Sequence, residues 1–510
     1  MTAHNAAAWL VDRHVDEGRG DRVAIECEGV ATTYSELLGE VRRAQQAMRS
    51  LGIDEGERVA LVLNDDLSFV AWFLGALRSG VIPVPLSTML TAGELAPIVA
   101  DSGAVALVIS APYADAAEEI RSGVPMIANV VVSGGPAPKG ARAWATFTDA
   151  PELPVADTLE TSPGFWLYSS GTTGVPKGVM HTHGNLRATA DTYAAQVLRT
   201  TPDDRFLSVA KLFFAYGLGN SLTFPLAVGG TAILCPERPT PSGFVDVIER
   251  TRPTLFFASP GFCAALLDVG PSASTFASVR ATMTAGESLP ANVQTRFTAL
   301  TGTPVLDGIG STELLHIFLS NTLTEQTPGS SGVTVPGYRA ELRDVDGEVV
   351  TEPDTPGYLH VRGDSAAVGY WQRDLETSDA FRGGWVRTGD VYTRSADGHW
   401  TFLGRNSDMI KAGGIWVSPA EVENVLIGHD DVLEAAVVGA RNEQGLEEVV
   451  AFVLPTAGAT PEPADLERHC REQMAAFKRP RRIIVVAELP KTATGKIRRF
   501  ELRARLDAPR

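Results

Sequence analysis

Short runs rich in valine, isoleucine and leucine alternate along the chain with longer segments whose apolar residues recur at helical spacing. "RVALVLN" (58 to 64), "AVALVIS" (104 to 110), "GFWLYSS" (164 to 170) and "TAILC" (231 to 235) read as strands, and "AGELAPIVADSG" from Ala92 reads as a helix. Strands separated by helices predict an α/β fold with largely parallel sheets. "VSGGPAPKGARA" (132 to 143) breaks the alternation with Gly, Pro and Ala and is expected to be a surface loop. From about Asp408 the pattern becomes strand-like "EAAVVG" and "EVVAFVL", helix-like "EPADLERHCREQMAAF" and strand-like "RIIVVAEL". This predicts a separate small α+β domain of roughly a hundred residues.

Length and composition narrow the class. A chain of 510 residues exceeds what one core usually covers, and 44% hydrophobic residues can fill several. The net charge of −17 argues against nucleic acid as a partner, because polyanion binding needs a basic footprint. The first residues lack a basic start followed by an apolar core, and no apolar run is long enough to span a bilayer, so a cytoplasmic protein is expected. Cys27, Cys235, Cys263 and Cys470 lie far apart with no C-x-x-C pair, which fits reduced thiols better than disulfides or zinc.

"YSSGTTGVPKG" (168 to 178) packs three glycines, two serines, two threonines and a lysine into eleven positions. Glycines let backbone N–H groups approach an anion, hydroxyls donate further hydrogen bonds, and a lysine adds a mobile charge. The stretch is built for phosphate, and it is expected to bridge a strand to the helix-like "HTHGNLRATADTYAAQ". It is not a Walker P-loop, because Lys177 follows Pro176 and precedes Gly178. On its own it also fits a Gly/Ser/Thr surface loop.

Four further stretches follow it: "DGIGSTE" (307 to 313), "WVRTGD" (385 to 390), "GRNSDMIKAGG" (404 to 414) and "PKTATGKIRR" (490 to 499). Together, in this order and spacing, the five resemble the adenylate-forming superfamily, specifically its acyl- and aryl-CoA synthetases, over nearly the whole chain. "KLFFAYGLGNSLTFPLAVGGTA" (211 to 232) and "GIGSTELLHIFLSN" (308 to 321) resemble the benzoate-CoA ligase branch. The resemblance implies a large N-terminal domain (1–405) of parallel-sheet α/β subdomains with a β-barrel portion. A hinge (406–408) and a small mobile α+β domain (409–510) would follow.

It also implies an ATP-dependent ligase, using Mg²⁺ and coenzyme A, that activates a small aromatic carboxylic acid as its adenylate and then forms the thioester. Ser169, Ser170, Gly171, Thr172, Thr173, Gly174 and Lys177 match the loop that holds the β- and γ-phosphates. Thr312 matches the residue at the α-phosphate and Glu313 the Mg²⁺ ligand, a hard cation commonly held by one carboxylate plus phosphate oxygens. Gly286, Glu287, Ser288, Asp307, Gly308 and Ile309 match segments around adenine; Ile309 replaces the aromatic residue many members carry there. Asp390 would accept the ribose hydroxyls, and Arg405 would reach the same nucleotide.

Phe214, Ala215, Tyr216, Gly310, Leu315, His316 and Ile317 match the pocket for a flat ring; His316 taken alone reads as a satisfied core histidine. Lys496 matches a lysine that enters the site for adenylation and leaves when the small domain rotates. That rotation would bring Lys411, Gly413, Gly414 and Trp416 to a channel for CoA. Ser407 stands at the hinge where aspartate or lysine is usual, with Asp408 beside it. Two rivals remain at this level: delivery of the aryl group to a carrier protein, and a nucleotide-binding protein without turnover, against which Glu313 and Lys496 both weigh. A monomer or homodimer is expected.

Overall fold

The computed structural model of the chain describes residues 3–147, 152–170, 176–412, 415–441, 447–491 and 497–507, and the backbone alone at 170, 411, 412, 415, 416 and 507. In the first parallel sheet the strands lie in the order Ile82–Pro85, Arg58–Val62, Ala106–Ser110, Asn129–Ser133 and Arg142–Ala143. Its two faces are buried in different cores. Val59, Leu61, Val108 and Val131 pack with helices Tyr34–Ser50 and Leu67–Arg78, and Ala60, Val62, Leu107, Ile109 and Val132 pack with helices Ala92–Ser102 and Ala114–Gly123. Burial on both faces is why these strands read as unbroken apolar runs. The expected loop 132–143 begins and ends within strands of this sheet.

The second sheet has a parallel centre of Val23–Cys27, Thr231–Leu234, Arg205–Ser208, Leu255–Ala258, Ala281–Thr284 and Val305–Gly310. Val30–Thr33 closes one edge antiparallel, and Ile317–Ser320 with Val333–Thr334 closes the other. A mainly antiparallel sheet follows in sequence, built on Arg339–Arg343, Gly357–Arg362, Trp385–Arg394 and Trp400–Arg405.

"GFWLYSS" belongs to none of these sheets. Pro163–Ser170 pairs antiparallel with Pro176–Thr182, and Gly369–Tyr370 adds a third strand. The glycine-rich stretch therefore joins two strands of a hairpin instead of linking strand to helix. Alternate burial continues through Val179 and His181, and the helix begins only at His183, where Thr182 and Asn185 form a capping box.

In the C-terminal part, Val432–Arg441 pairs antiparallel with Glu447–Pro455, which pairs parallel with Arg482–Val485. Helices Pro419–Ile427 and Pro463–Gln473 cover one face of this sheet, and helix Arg499–Asp507 covers the other through Leu502. Residues 406–408 form an exposed turn in which the Asp408 and Met409 N–H groups donate to the Arg405 carbonyl at 2.9 and 3.0 Å. The Asp408 carboxylate takes Arg503 at 2.7 Å, tying the turn to the last described helix.

The edge of the second sheet is unusually tight where Val305–Gly310 meets Ile317–Ser320. The register shifts between Ile309 and Gly310, and a methyl group at 310 would lie 2.6 Å from the His316 carbonyl oxygen. Gly310→Ala must therefore push the two strands apart, a cost of about 1–3 kcal/mol by analogy with overpacking. We expect a lower unfolding midpoint by thermal or denaturant melting, and an unchanged midpoint would show that the strands yield freely.

Candidate active site

The phosphate-loop hairpin is anchored at its root. The Tyr168 hydroxyl donates to Asp101 Oδ2 at 2.7 Å, Arg373 pairs with Asp101 Oδ1 at 2.9 Å, and Trp371 Nε1 donates to the Asp101 carbonyl at 2.9 Å. Ser169 lies opposite Lys177 in the ladder, so both flank the mouth of the loop. Gly171, Thr172, Thr173 and Gly174 lie outside the described residues, as does the side chain of Ser170.

Lys177 Nζ sits 5.1 Å from the centre of the Tyr370 ring, and the Tyr370 hydroxyl donates to Glu313 Oε1 at 2.9 Å. Burial, with the Glu313 charge, raises the Tyr370 phenol well above its ordinary value, so it stays a donor. Lysine, ring and carboxylate thus form one continuous contact between the phosphate-loop strand and the "GSTE" segment.

That segment is a single 3₁₀ turn, Thr312–Leu314, capped by Ser311, whose Oγ accepts from the Leu314 N–H at 3.3 Å. Each of its carbonyls has a partner. His181 Nε2 lies 2.8 Å from the Thr312 oxygen, the Ala367 N–H donates to Glu313 at 2.8 Å, and Ser365 Oγ donates to Leu314 at 2.7 Å. Burial lowers the pKa of His181, and its other ring nitrogen, Nδ1, lies 3.1 Å from Asn185 Oδ1. Leu315 then takes a φ of +65°, and the His316 N–H donates back to the Leu314 carbonyl at 2.8 Å. This is a strained three-residue turn, and a branched residue in that region costs of order 1–3 kcal/mol. The turn separates two surroundings: Glu313 accepts from the Tyr370 hydroxyl, and three residues on His316 is buried among rings.

His316 is 2% exposed, with Tyr193, Tyr216 and Phe224 at ring distances of 5.3, 5.4 and 4.5 Å. Its Nε2 lies 3.1 Å from Asn220 Oδ1, and burial pushes the imidazole down to about 3, leaving it neutral. The Tyr216 hydroxyl donates to the Met283 carbonyl at 3.0 Å, fixing that ring from the second sheet. Phe214, Ala215 and Leu315 border one hydrophobic core, while Tyr216, Ile309 and Ile317 border another, so these residues gather where two cores meet. Gly310 belongs here too, but its lack of a side chain is demanded first by the strand contact with His316.

On the nucleotide side, Asp307 is 6% exposed and accepts from Thr284 Oγ1 at 3.1 Å; burial pushes its carboxyl up to about 8. Gly308 and Ile309 follow it on the same strand. Gly286 has a φ of +97°, turning the chain so that Glu287 and Ser288 follow the end of the neighbouring strand. Asp390, 2% exposed, pairs with Arg405 Nε at 3.0 Å, and Arg405 also donates to the Thr388 carbonyl at 3.0 Å.

Lys411 and Trp416 oppose each other in the short ladder Ile410–Ala412 with Ile415–Val417, their side chains being outside the described set. Gly413, Gly414 and Lys496 lie outside the described residues. Tyr370, His181, Asp101 and Asn220 carry the site without having been picked out by the motifs. His181 had a faint signal, since it shares the inward strand face with Lys177 at period two. Tyr370 had none, because only folding brings it to Glu313.

A family model described as "AMP-binding enzyme" matches residues 11–371, and "AMP-binding enzyme C-terminal domain" matches residues 421–496. The chain is similar to the benzoate-CoA ligase of Thauera aromatica, 42% identical over 98% of this chain and 96% of that one. It is also similar to the crystal structure of a benzoate CoA ligase from Burkholderia xenovorans LB400, with a TM-score of 0.91 and 40% identity over 98% of this chain and 100% of the other. The anthranilate CoA ligase AuaEII, solved with anthranoyl-AMP, aligns with a TM-score of 0.92 and 35% identity over 99% and 97% of the two chains. The chain belongs to the AMP-binding enzyme family, in its benzoate-CoA ligase branch.

Proposed function

We propose that the protein is an AMP-forming aryl-CoA ligase acting on benzoate or a small substituted benzoate. The observation that carries this reading is the strained turn at Leu315: on one side of it the Glu313 carboxylate accepts from Tyr370, whose ring lies under Lys177, and on the other His316 sits in a buried aromatic cluster. In this reading a flat ring would lie between Ala215, Tyr216 and the 315–317 segment, with Leu315 and Ile317 closing the end of the pocket against a long chain. With ring and phosphates so placed, the carboxylate oxygen attacks the α-phosphorus and pyrophosphate leaves. The CoA thiolate then attacks the acyl carbonyl, and AMP leaves. Both steps move negative charge, so fixed positive groups and donors supply most of the acceleration.

Within this reading Lys177 and the Ser/Thr/Gly loop hold the terminal phosphates, and Thr312 lies at the α-phosphate. Asp307, Gly308, Ile309 and the 286–288 turn border the base, and Asp390 accepts the ribose hydroxyls with Arg405 beside it. The donor set suits Mg²⁺: Glu313 offers one carboxylate, oriented by Tyr370 through a single oxygen. A magnesium ion held there would offset phosphate charge. Lys496 serves adenylation, and the segment with Lys411, Gly413, Gly414 and Trp416 serves the CoA arm after rotation about 406–408.

Three measurements test this reading. With ATP, Mg²⁺ and a panel of acids, we expect pyrophosphate and AMP as products, dependence of thioester formation on CoA, and highest kcat/KM for benzoate-sized aryl acids. Products of ADP and phosphate, or a preference for octanoate over every aryl acid, would reject it.

Lys496→Ala should lower adenylate formation by about a hundredfold or more, the scale of a lost charge-stabilising group, while sparing thioester formation from supplied benzoyl-adenylate. Ser407→Pro should show the reverse bias, since fixing φ in the turn hinders rotation and not the first step. Equal loss of both half-reactions in either variant contradicts the two-orientation scheme.

Tyr370→Phe removes the hydroxyl that orients Glu313 but keeps the ring under Lys177. We expect the Mg²⁺ concentration for half-maximal activity to rise about threefold to tenfold, as for a lost hydrogen bond to a charged group. An unchanged magnesium dependence would remove Tyr370 from metal positioning.

A further inference from the structure

The turn that carries Phe214, Ala215 and Tyr216 is held from outside by a residue that belongs to no motif. Asp65 lies in the connection between strand Arg58–Val62 of the first sheet and helix Leu67–Arg78, and it is 5% exposed. Its neighbour Asp66 caps that helix, accepting from the Ser68 and Phe69 N–H groups at 2.8 and 3.3 Å. Asp65 does something different. Both of its carboxylate oxygens lie 3.2 Å from the Leu212 backbone nitrogen, and Lys211 Nζ stands 4.0 Å from Oδ2.

Lys211 reaches further. Its ammonium donates to the carbonyls of Cys235 at 2.6 Å and Glu237 at 2.7 Å, just beyond strand Thr231–Leu234 of the second sheet. One buried carboxyl–ammonium contact therefore joins the first sheet, the second sheet and the start of the pocket turn. The turn itself has no slack. A methyl group at Gly217 would lie 2.0 Å from the Lys211 carbonyl oxygen and 2.5 Å from that of Ala210. The Phe214 N–H donates to the Lys211 carbonyl at 3.0 Å, and the Leu218 N–H donates to that of Phe214 at 2.8 Å. Leu212 and Phe213 are buried in the core below, and the Phe213 and Phe214 rings meet edge-on at 4.5 Å. A displacement of Leu212 is thus passed to Phe214, Ala215 and Tyr216 with little loss.

We propose that Asp65 is a positioning residue for the aryl pocket, which with Lys211 latches the 210–217 turn and so sets the affinity and ring selectivity for the carboxylic acid. The proposal rests on the reading that Phe214, Ala215 and Tyr216 line the ring pocket. A buried carboxylate is costly to keep unless its partners are in place, and breaking such a pair strains what surrounds it. Simple fold stabilisation would affect every substrate alike. A latch on this turn acts on the acid alone, because the phosphate-loop hairpin and the 312–314 turn are held by other contacts.

The test uses two near-isosteric variants of the full chain. Asp65→Asn keeps an oxygen for the Leu212 N–H and removes the charge; Lys211→Met keeps the stem and removes the ammonium. We expect KM for benzoate to rise about tenfold in each, the scale of a small misplacement of a binding wall, with KM for ATP changed less than about twofold. The preference in kcat/KM for benzoate over the bulkier 2-naphthoate should fall by a similar factor. Unchanged KM for benzoate in both variants, or parallel changes in the constants for benzoate, ATP and CoA, overturns the proposal. Ala215→Leu separates the two levels. If it leaves KM for benzoate unaltered, the pocket reading falls and the latch with it; if it raises KM while the latch variants do not, only the latch falls.

Discussion

The backbones of Gly310 and His316 approach so closely that only glycine fits at 310, and the chain between them must reverse within five residues. That constraint arranges most of the site. Gly308 and Ile309 stay on the parallel sheet, Thr312 and Glu313 occupy one turn of 3₁₀ helix, and Leu315 is forced to a positive φ so that Ile317 can return along the sheet edge. The proposed base, phosphate and ring contacts would thereby fall within ten consecutive residues, 308–317. The strain is sustained because every carbonyl of the turn is bonded from a different part of the chain: His181, Ala367 and Ser365.

These partners explain what could be read along the chain and what could not. Parallel strands buried on both faces announce themselves as apolar runs, and the change of pattern near Asp408 announces the small domain. Glycine, hydroxyl and lysine together point to an anion site through the company of the other four motifs. The same apolar run does not distinguish a parallel strand from an antiparallel one, which is why Pro163–Ser170 turned out to pair in a hairpin. Contacts such as Tyr370 with Glu313, or His181 with Thr312, span 57 and 131 positions and have no local signature. The first exists because one short strand, Gly369–Tyr370, adds to the phosphate-loop hairpin and carries the phenol to the carboxylate.

The anchoring of the two halves follows a common pattern. The phosphate-loop hairpin is tied to helix Ala92–Ser102 through Asp101, and the aryl turn is tied to the first sheet through Asp65. In both cases an aspartate from the elements around the first sheet accepts N–H or O–H groups from a segment outside it. The first sheet thus serves as a frame to which both segments are tied.

The two halves also differ in how they treat charge, and the difference suits the chemistry. Around the ring, burial keeps His316 neutral, with a pKa near about 3, and holds the Tyr216 hydroxyl well above its usual value. Elsewhere charges are paired, as with Asp390 and Arg405, or held over a ring, as with Lys177 above Tyr370. An aryl carboxylate is divided in the same way, apolar at one end and anionic at the other. Its ring gains from leaving water, while its charge has no partner among the neutral groups around the ring and is stabilised only at the boundary, where cations meet phosphate. In the proposed reading, the gradient from neutral to charged surroundings would orient an aryl acid with its ring among the neutral groups and its carboxylate toward the charged ones.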